Sequence, residues 1–239
     1  GDEISFCVPT GNFGDILAGY LAKKSGLPVS KLICASNENN VLTQFINTGV
    51  YDRNRDFHLT ASPSMDILIS SNLERLLFLL CGDDEKVRTW MAQLKKTGKY
   101  DVGSEMVQKL RDEGFVAYWC DDRHTAFTIR DTWHGRNYLC DTHTGVAVNA
   151  LQQHAALTGD KTPAVVVSTA SPFKFAQSIL PAIGIDFQGD DFQLLEALEI
   201  VSGQKAPAAL KELKGKPVRF DTVIETRDMK QAVLHWLED

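Results

Sequence analysis

The chain has 239 residues, of which 44% are hydrophobic and 23% charged, a composition typical of one globular domain and not of a disordered or collagen-like protein. No apolar run reaches the roughly 18–20 residues that a membrane span needs, and a net charge of −6 argues against a large nucleic-acid-binding surface. The five cysteines show no metal-binding spacing. We therefore expect buried, reduced thiols in a cytoplasmic protein with no membrane and no nucleic-acid partner.

Strand-like and helix-like segments alternate at the start of the chain. Ile4–Val8 is an unbroken apolar run typical of a buried strand, and a helical pattern over Asp15–Ser25 leads to a second strand at Lys31–Ala35. Strand, helix and strand within about 30 residues predict a βαβ unit, and such units form parallel sheets. We expect an α/β fold in which Ala164–Ser168 adds a third parallel strand and helices cover both faces of the sheet.

The middle of the chain is predicted to be helical. Ser71-Asn72-Leu73-Glu74 has the pattern of a capping box and predicts a buried, almost wholly apolar helix over Asn72–Leu80. Thr97–Gly103 is predicted to be a loop and Phe115–Trp119 a strand. Further helices are predicted over Asn39–Asn47, after Asp83, and over Ser104–Gly114, Asp121–His134, Thr142–Thr158 and Ser171–Leu180.

The last part of the chain differs in character. We expect a single domain over residues 1–239, with residues 185–239 forming a helix-rich tail that packs on it. Helices are predicted over Phe192–Val201, Ala208–Leu213 and Met229–Leu237, with a possible strand at Val218–Phe220.

The most informative segment is the run from Pro9 to Asp15, Pro-Thr-Gly-Asn-Phe-Gly-Asp, between the first strand and the first helix. Its two glycines would let the backbone turn sharply and let a ligand approach the main chain. Amides at the N-terminus of the helix would then form an anion site. The alternative is an ordinary turn in which Thr10 or Asn12 caps the helix. The spacing fits neither a P-loop nor the dinucleotide-binding fingerprint.

This loop resembles the phosphate loop of the threonine synthase family, which are pyridoxal 5'-phosphate (PLP) enzymes of the tryptophan-synthase-β fold type, fold type II. The resembling segment runs from Val8 to Gly19. Five more segments resemble family blocks, in family order, across most of residues 4–180. They are Leu32–Val41, Ser62–Asp66, Ser70–Arg75, Asp141–Gly145 and Val167–Phe175. The last block departs from the family, where a His often stands at the position of Ser171, and no motif matches beyond Gly184.

The resemblance implies a set of PLP-binding residues. Backbone N–H groups of Gly11, Asn12, Phe13 and Gly14 would bind the phosphate, with the Asn12 side chain and the Thr10 hydroxyl as further donors. The Phe13 side chain is expected to pack and not to touch the ligand. In this fold type a hydroxyl usually meets the pyridine nitrogen, and Thr169 is the first choice here and Ser168 the second. The alternative role for Thr169 is to cap the helix at Pro172.

The resemblance also implies a reaction, the conversion of O-phosphohomoserine and water to threonine and phosphate. The family's Schiff-base lysine lies in the N-terminal half, in a Phe-Lys-Asp-like motif that this chain lacks, and Lys174 belongs to a different family segment. We therefore expect the C-terminal part of a larger two-domain enzyme, with its N-terminal half as partner and no catalytic residue assigned in this chain.

Two other functions stay open. One is a related PLP enzyme such as threonine dehydratase or cysteine synthase, against which the Asn12-Phe13 pair and the Ser71–Arg75 block argue. The other is a non-catalytic phosphate-binding fragment.

A weaker set of polar residues could approach the substrate, and each has an ordinary structural alternative. The alternative is an ordinary turn for Ser62, Ser64 and Asp66. It is a solvated loop for Arg53 and Arg55, and helix capping or core packing for His143.

Overall fold

The computed structural model describes residues 2–237 and contains a four-stranded parallel sheet of order β5-β2-β1-β6. Cys7 of β1 pairs with Ile33 of β2 on one side and with Val166 of β6 on the other. The parallel sheet and its three predicted strands are therefore confirmed. The strands are β1 (Ile4–Pro9), β2 (Val29–Ser36), β3 (Val50–Asp52), β4 (Lys99–Asp101), β5 (Phe115–Trp119) and β6 (Ala164–Val166).

The helices follow the predicted order along the chain. They are α1 (Gly14–Lys24), α2 (Val41–Thr48), α3 (Leu73–Cys81), α4 (Asp84–Thr97), α5 (Gly103–Asp112), α6 (Asp122–Arg136), α7 (Thr142–Thr158), α8 (Ala176–Ala182), α9 (Asp191–Ser202), α10 (Ala208–Lys211) and α11 (Met229–Trp236). A 3₁₀ turn at Pro172–Phe175 precedes α8, so the predicted helix from Ser171 divides into two pieces.

Both faces of the sheet are covered by helices, as the apolar runs predict. Alternate residues of β1 and β2 enter two separate clusters of buried side chains. Val8 and Leu32 belong to the cluster that holds side chains of α1, α2, α3 and α5. Cys7 and Ile33 pack on the opposite face against α7. Strands buried on both faces read as unbroken apolar runs because neither face meets water.

A second, two-stranded antiparallel sheet is formed by β3 and β4, where the sequence predicts only a loop at Thr97–Gly103. Tyr51 pairs with Tyr100 across it, and their rings stack with centroids 5.2 Å apart. Strands of three residues are too short to show an alternating pattern, so the loop prediction is wrong here.

Helix α3 departs from two predictions. Its N-cap residue is Asn72, whose side chain makes no capping bond, so the capping box is wrong. The helix buries Leu73, Leu76 and Leu77 but leaves Phe78 and Leu79 47% and 49% exposed. These two side chains lie in a surface depression of about 660 Å³, hereafter the apolar groove. It is lined by Leu17, Leu21, Glu74, Arg75, Phe78, Leu79, Asp84, Val87, Arg88 and Met91.

The chain forms two compact units, one ending at Lys205 and one beginning at Ala206. Helix α9 therefore belongs to the first unit. The second unit contains α10 and α11, and Val218–Phe220 is not a strand. Whether residues 185–239 pack on the rest as a tail stays a prediction. No helix within residues 2–237 combines the length and hydrophobicity needed to cross a bilayer.

The five cysteines are all free, and Cys81 alone among them is not fully buried. Burial raises the pKa of the Cys34 thiol to about 12 and that of Cys120 to about 11. The Cys7 thiol donates a hydrogen bond to the Ala147 carbonyl across the sheet–α7 contact, at 3.1 Å. These thiols stay protonated near neutral pH and act as packing groups.

Candidate functional site

The loop between β1 and α1 lies at the edge of the sheet where the carboxyl ends of the strands meet. Thr10 continues the sheet contacts, since its N–H donates to Ala35 of β2 at 2.8 Å. On the other side of β1 the chain leaves β6 at Val166, which brings Thr169 to the same edge. Ligands of open α/β sheets bind in the crevice at this edge.

The sharp turn of the loop is made at Phe13 and not at a glycine. Phe13 is the N-cap of α1 and has φ 65° and ψ 8°, in the left-handed region. Gly11 and Gly14 lie outside that region, which corrects the expectation that the glycines supply the turn. A left-handed non-glycine residue costs about 1–2 kcal/mol. The Phe13 ring is buried and stacks on Phe115 with centroids 6.0 Å apart, so core packing holds it in place.

The two glycines of the loop differ in their surroundings. A Cβ at Gly11 would lie 2.9 Å from the Ser64 carbonyl oxygen and 2.9 Å from Ile67 Cδ1. Gly11 is therefore required because another segment of the chain approaches it closely. A Cβ at Gly14 would meet only Asn72 Nδ2, at 3.6 Å, an ordinary contact.

The carbonyl groups of the loop are tied to the segment before α3. Ser70 Oγ donates to the Gly11 carbonyl at 2.8 Å, and both the N–H and the Nδ2 of Asn72 donate to the Asn12 carbonyl, at 3.1 and 2.8 Å. The Asn72 side chain thus fixes the loop instead of capping α3. Two of the family-like blocks meet at this point.

The amide groups of the loop are not used in this way. Considering residues 2–237, the N–H groups of Gly11, Asn12 and Phe13 donate to no protein acceptor. They precede the N-terminus of an 11-residue helix, whose dipole adds partial positive charge. The loop therefore presents hydrogen-bond donors and a favourable field for an anion.

These donors border a cavity of about 270 Å³, hereafter the loop cavity. Six of the seven predicted PLP-binding residues line it, and Ser168 does not. The lining residues are Pro9, Thr10, Gly11, Asn12, Phe13, Gly14, Asp15, Ser64, Met65, His143 and Thr169. The roles of the seven residues toward PLP stay predictions.

The two hydroxyls proposed for the pyridine nitrogen have different surroundings. Ser168 Oγ lies 3.3 Å from Thr144 Oγ1 and accepts a hydrogen bond from the Tyr138 hydroxyl at 3.4 Å. The Thr169 hydroxyl bonds to no other residue of the described chain, and the turn at Pro172 has no side-chain cap. The capping alternative for Thr169 is therefore wrong. The Thr10 hydroxyl donates to the Val8 carbonyl at 2.6 Å, so its oxygen is available chiefly as an acceptor.

A buried carboxylate–imidazole pair forms another wall of the loop cavity. Asp141 caps α7 by accepting from the His143 N–H at 2.9 Å, and its Oδ1 also lies 2.9 Å from His143 Nδ1. Burial acts to raise the pKa of Asp141, but hydrogen bonds from His143 and Thr144 outweigh it, so this pKa lies below its usual range. The packing alternative for His143 is confirmed, because the residue is buried, whereas the cap of α7 is Asp141. The sequence did not indicate that the His143 side chain also reaches the cavity.

The remaining polar candidates brace the loops around the cavity. Asp66 accepts from Asn37, Asn39 and Thr60, at 2.7 to 3.0 Å, which fixes the turn that carries Ser64. The Arg55 guanidinium bonds to Asn40 and Gln44, and neither Arg53 nor Arg55 lines the loop cavity. Lys174 is exposed beside Phe175 and does not line it either.

Comparison with known proteins gives consistent results. The family model "Threonine synthase, C-terminal" matches residues 144–233. Threonine synthase-like 1 from Macaca fascicularis is 44% identical over 188 residues, which cover 77% of this chain and 25% of that protein. Threonine synthase from Saccharomyces cerevisiae is 40% identical over 196 residues, covering 76% of this chain and 38% of that protein.

A solved structure extends the likeness to the fold. The structure of PLP-bound threonine synthase from Brucella melitensis superposes with a TM-score of 0.81 at 36% identity, covering 98% of this chain and 46% of that one. The chain thus spans less than half the length of each of these three proteins. The resemblance inferred from the motifs is confirmed: the chain is similar to a part of these longer threonine synthase and threonine synthase-like proteins.

Proposed function

We propose that the protein containing this chain is a PLP-dependent threonine synthase, which converts O-phosphohomoserine and water to threonine and phosphate in threonine biosynthesis. The observation that carries this is the loop at the start of α1. Its carbonyls are bound by Ser70 and Asn72, while the amides of Gly11, Asn12 and Phe13 stay available beside a cavity.

The loop cavity fits a phosphate bound by neutral donors. Its described lining contains no Lys or Arg, so amides and the α1 dipole would stabilise the negative charge. The close approach of Ser64 to Gly11 gives the loop a fixed wall. A phosphate held at Gly11–Gly14 is therefore compatible with the shape and polarity of this edge of the sheet.

Thr169 would bind the other end of the cofactor. Its hydroxyl follows β6 and lines the same cavity as the loop. A neutral hydroxyl at the pyridine nitrogen sets how strongly the ring withdraws electrons. Ser168 is less suited because it does not line this cavity.

Bound PLP supplies an electron sink for chemistry on an amino-acid substrate. The residues of this chain orient it, by holding its phosphate at one end and its ring nitrogen at the other. No lysine lines the loop cavity within residues 2–237, so the covalently binding lysine would come from the N-terminal half of the protein, which completes the enzyme.

The test is phosphate release from O-phosphohomoserine by the full-length protein with added PLP, with threonine identified as product. Ammonia release from threonine, or acetate release from O-acetylserine, in place of this reaction would favour the dehydratase or the cysteine synthase. Absence of all three reactions would favour a phosphate-binding protein without catalysis.

The 239-residue chain by itself is predicted to give no turnover under the same conditions. Proximity and orientation of the reacting groups account for roughly 7–11 kcal/mol of a barrier, and the isolated chain has no lysine placed to supply them. Turnover by the isolated chain that Lys174→Ala abolishes would show that the chain is a complete enzyme and that the lysine assignment is wrong.

A further inference from the structure

The side chain of His143 connects two segments that are far apart in the sequence. Its Nε2 accepts a hydrogen bond from the Ser64 backbone N–H at 3.2 Å, and its Nδ1 lies 2.9 Å from Asp141 Oδ1. An imidazole nitrogen that accepts carries no proton, so the proton is on Nδ1 and is donated to Asp141. His143 is 3% exposed and Asp141 is fully buried, so water does not compete for either bond.

The residue that His143 binds also touches the phosphate loop. The Ser64 carbonyl oxygen and Met65 Cα are 2.9 and 3.2 Å from the position of a Cβ at Gly11. The Ser64 N–H makes no other hydrogen bond to the described chain. The Pro63–Met65 turn is thus held by His143 on one side and abuts Gly11 on the other.

We propose that His143, oriented by Asp141, is a positioning residue that holds the Pro63–Met65 turn against Gly11 and so fixes the phosphate loop for its ligand. This rests on the proposed binding of the PLP phosphate by the loop. The imidazole acts through the Ser64 backbone and is assigned no contact with the reacting atoms. The Asp141 carboxylate has two roles: it orients the imidazole, and it caps α7 by accepting from the His143 backbone N–H.

The same helix provides a matched control. His154 of α7 is also buried, with Nε2 3.1 Å from Asp160 Oδ2 and Nδ1 3.1 Å from the Tyr118 hydroxyl. It does not line the loop cavity. A general structural role would make the two histidines equivalent in their effect on ligand binding, whereas a positioning role separates them.

The experiment uses the full-length protein and four variants: His143→Gln, His143→Asn, His143→Leu and His154→Leu. Glutamine presents an acceptor near the place of Nε2, asparagine keeps only a group near Nδ1, and leucine keeps neither. PLP affinity is measured by equilibrium dialysis, with pyridoxal, which lacks the phosphate, as the comparison ligand. We expect PLP affinity to fall about tenfold in the asparagine and leucine variants. Both lose the hydrogen bond from the Ser64 N–H to the imidazole that is paired with Asp141. Glutamine should restore the affinity to within about threefold.

Pyridoxal affinity should be unchanged throughout, and His154→Leu should lower thermal stability without changing PLP affinity. The proposal is overturned if His143→Asn and His143→Leu bind PLP as the unmodified protein does. It is also overturned if His154→Leu weakens PLP binding as much as His143→Leu. If His143→Leu does not fold, the asparagine and glutamine variants give the same contrast.

A second measurement does not depend on the ligand. Hydrogen exchange of ligand-free protein should be faster over residues 10–14 and 62–66 in His143→Asn than in His143→Gln. Equal exchange in the two variants would also overturn the proposal. Failure of the unmodified protein to bind PLP would instead overturn the proposed function, and the exchange result would still decide the role of His143.

Discussion

The loop cavity and the apolar groove are contrasting concave regions of the first unit. The groove is larger, at about 660 Å³ against about 270 Å³, and its walls include Leu21, Phe78 and Met91. The loop cavity has backbone amides at the start of α1 that find no acceptor within residues 2–237, and the Thr169 hydroxyl lies nearby. The size of a cavity therefore does not identify the candidate site here, whereas the convergence of unused polar groups does.

The largest effect on the loop cavity is expected from a larger side chain in the loop itself. Gly11→Val should weaken PLP binding more than tenfold and lower the free energy of unfolding by about 1–3 kcal/mol, because its Cβ would overlap Ser64 and Ile67. Gly14→Val should weaken PLP binding without that steric cost, since its Cβ meets only Asn72 Nδ2 at 3.6 Å. Equilibrium dialysis and urea unfolding measure the two effects. Unchanged PLP affinity in both variants would contradict the assignment of the loop.

The stability of the region around the loop cavity should also depend on pH, through Asp141. Its folded-state pKa lies below the ordinary 3.8, so the stabilisation is present above pH 3.8 and is lost as pH falls through the lowered value. Asp141→Asn should lower the free energy of unfolding by about 1.5–3 kcal/mol near neutral pH, the range for hydrogen bonds to charged groups. Urea unfolding at a series of pH values measures this difference, which should shrink below pH 3.8. A difference independent of pH would contradict the role given to the carboxylate.

Substitutions of Thr169 and Ser168 test which of the two hydroxyls belongs to the candidate site. Thr169→Val removes the hydroxyl but keeps the shape, and should weaken PLP binding by about 0.5–1.5 kcal/mol, the usual value of one hydrogen bond. Ser168→Ala is the matched control and should change it less, because Ser168 does not line the cavity. The reverse order would assign the pyridine nitrogen to Ser168.

The smallest effect is expected in the groove. Phe78→Ser alters a side chain that is 47% exposed, and stability should change by about 0.5 kcal/mol or less, as for ordinary surface substitutions. PLP affinity, measured by dialysis, should not change. A large loss of PLP binding would show that the groove and the loop cavity are coupled.

Those features that depend on local pattern could be predicted from the sequence. The unbroken apolar runs around Cys7 and Ile33 indicated buried parallel strands, and the segment around Asn12 and Phe13 indicated a loop with outward amides before a helix. Anion binding by this loop stays a prediction. The left-handed conformation of Phe13 could not be predicted, because it depends on the packing of its ring against Phe115.

Contacts between distant segments were also beyond the sequence. The hydrogen bond between Ser64 and His143 joins residues 79 positions apart. The Asn72 side chain binds the Asn12 carbonyl instead of capping its own helix. In both cases the sequence identifies a polar side chain, but the tertiary fold decides which group it binds.

The pairing of β1 with β2 and β6 has a consequence for synthesis on the ribosome. Cys7 can meet Ile33 soon after both emerge, but Val166, which pairs on its other side, is made only after helices α2 to α7. Until then the nascent β1 has an open edge, the kind of edge at which other chains can add. Thr169 and His143 also emerge long after the loop at Gly11–Gly14, so the two sides of the loop cavity come together only when this long-range pairing is complete.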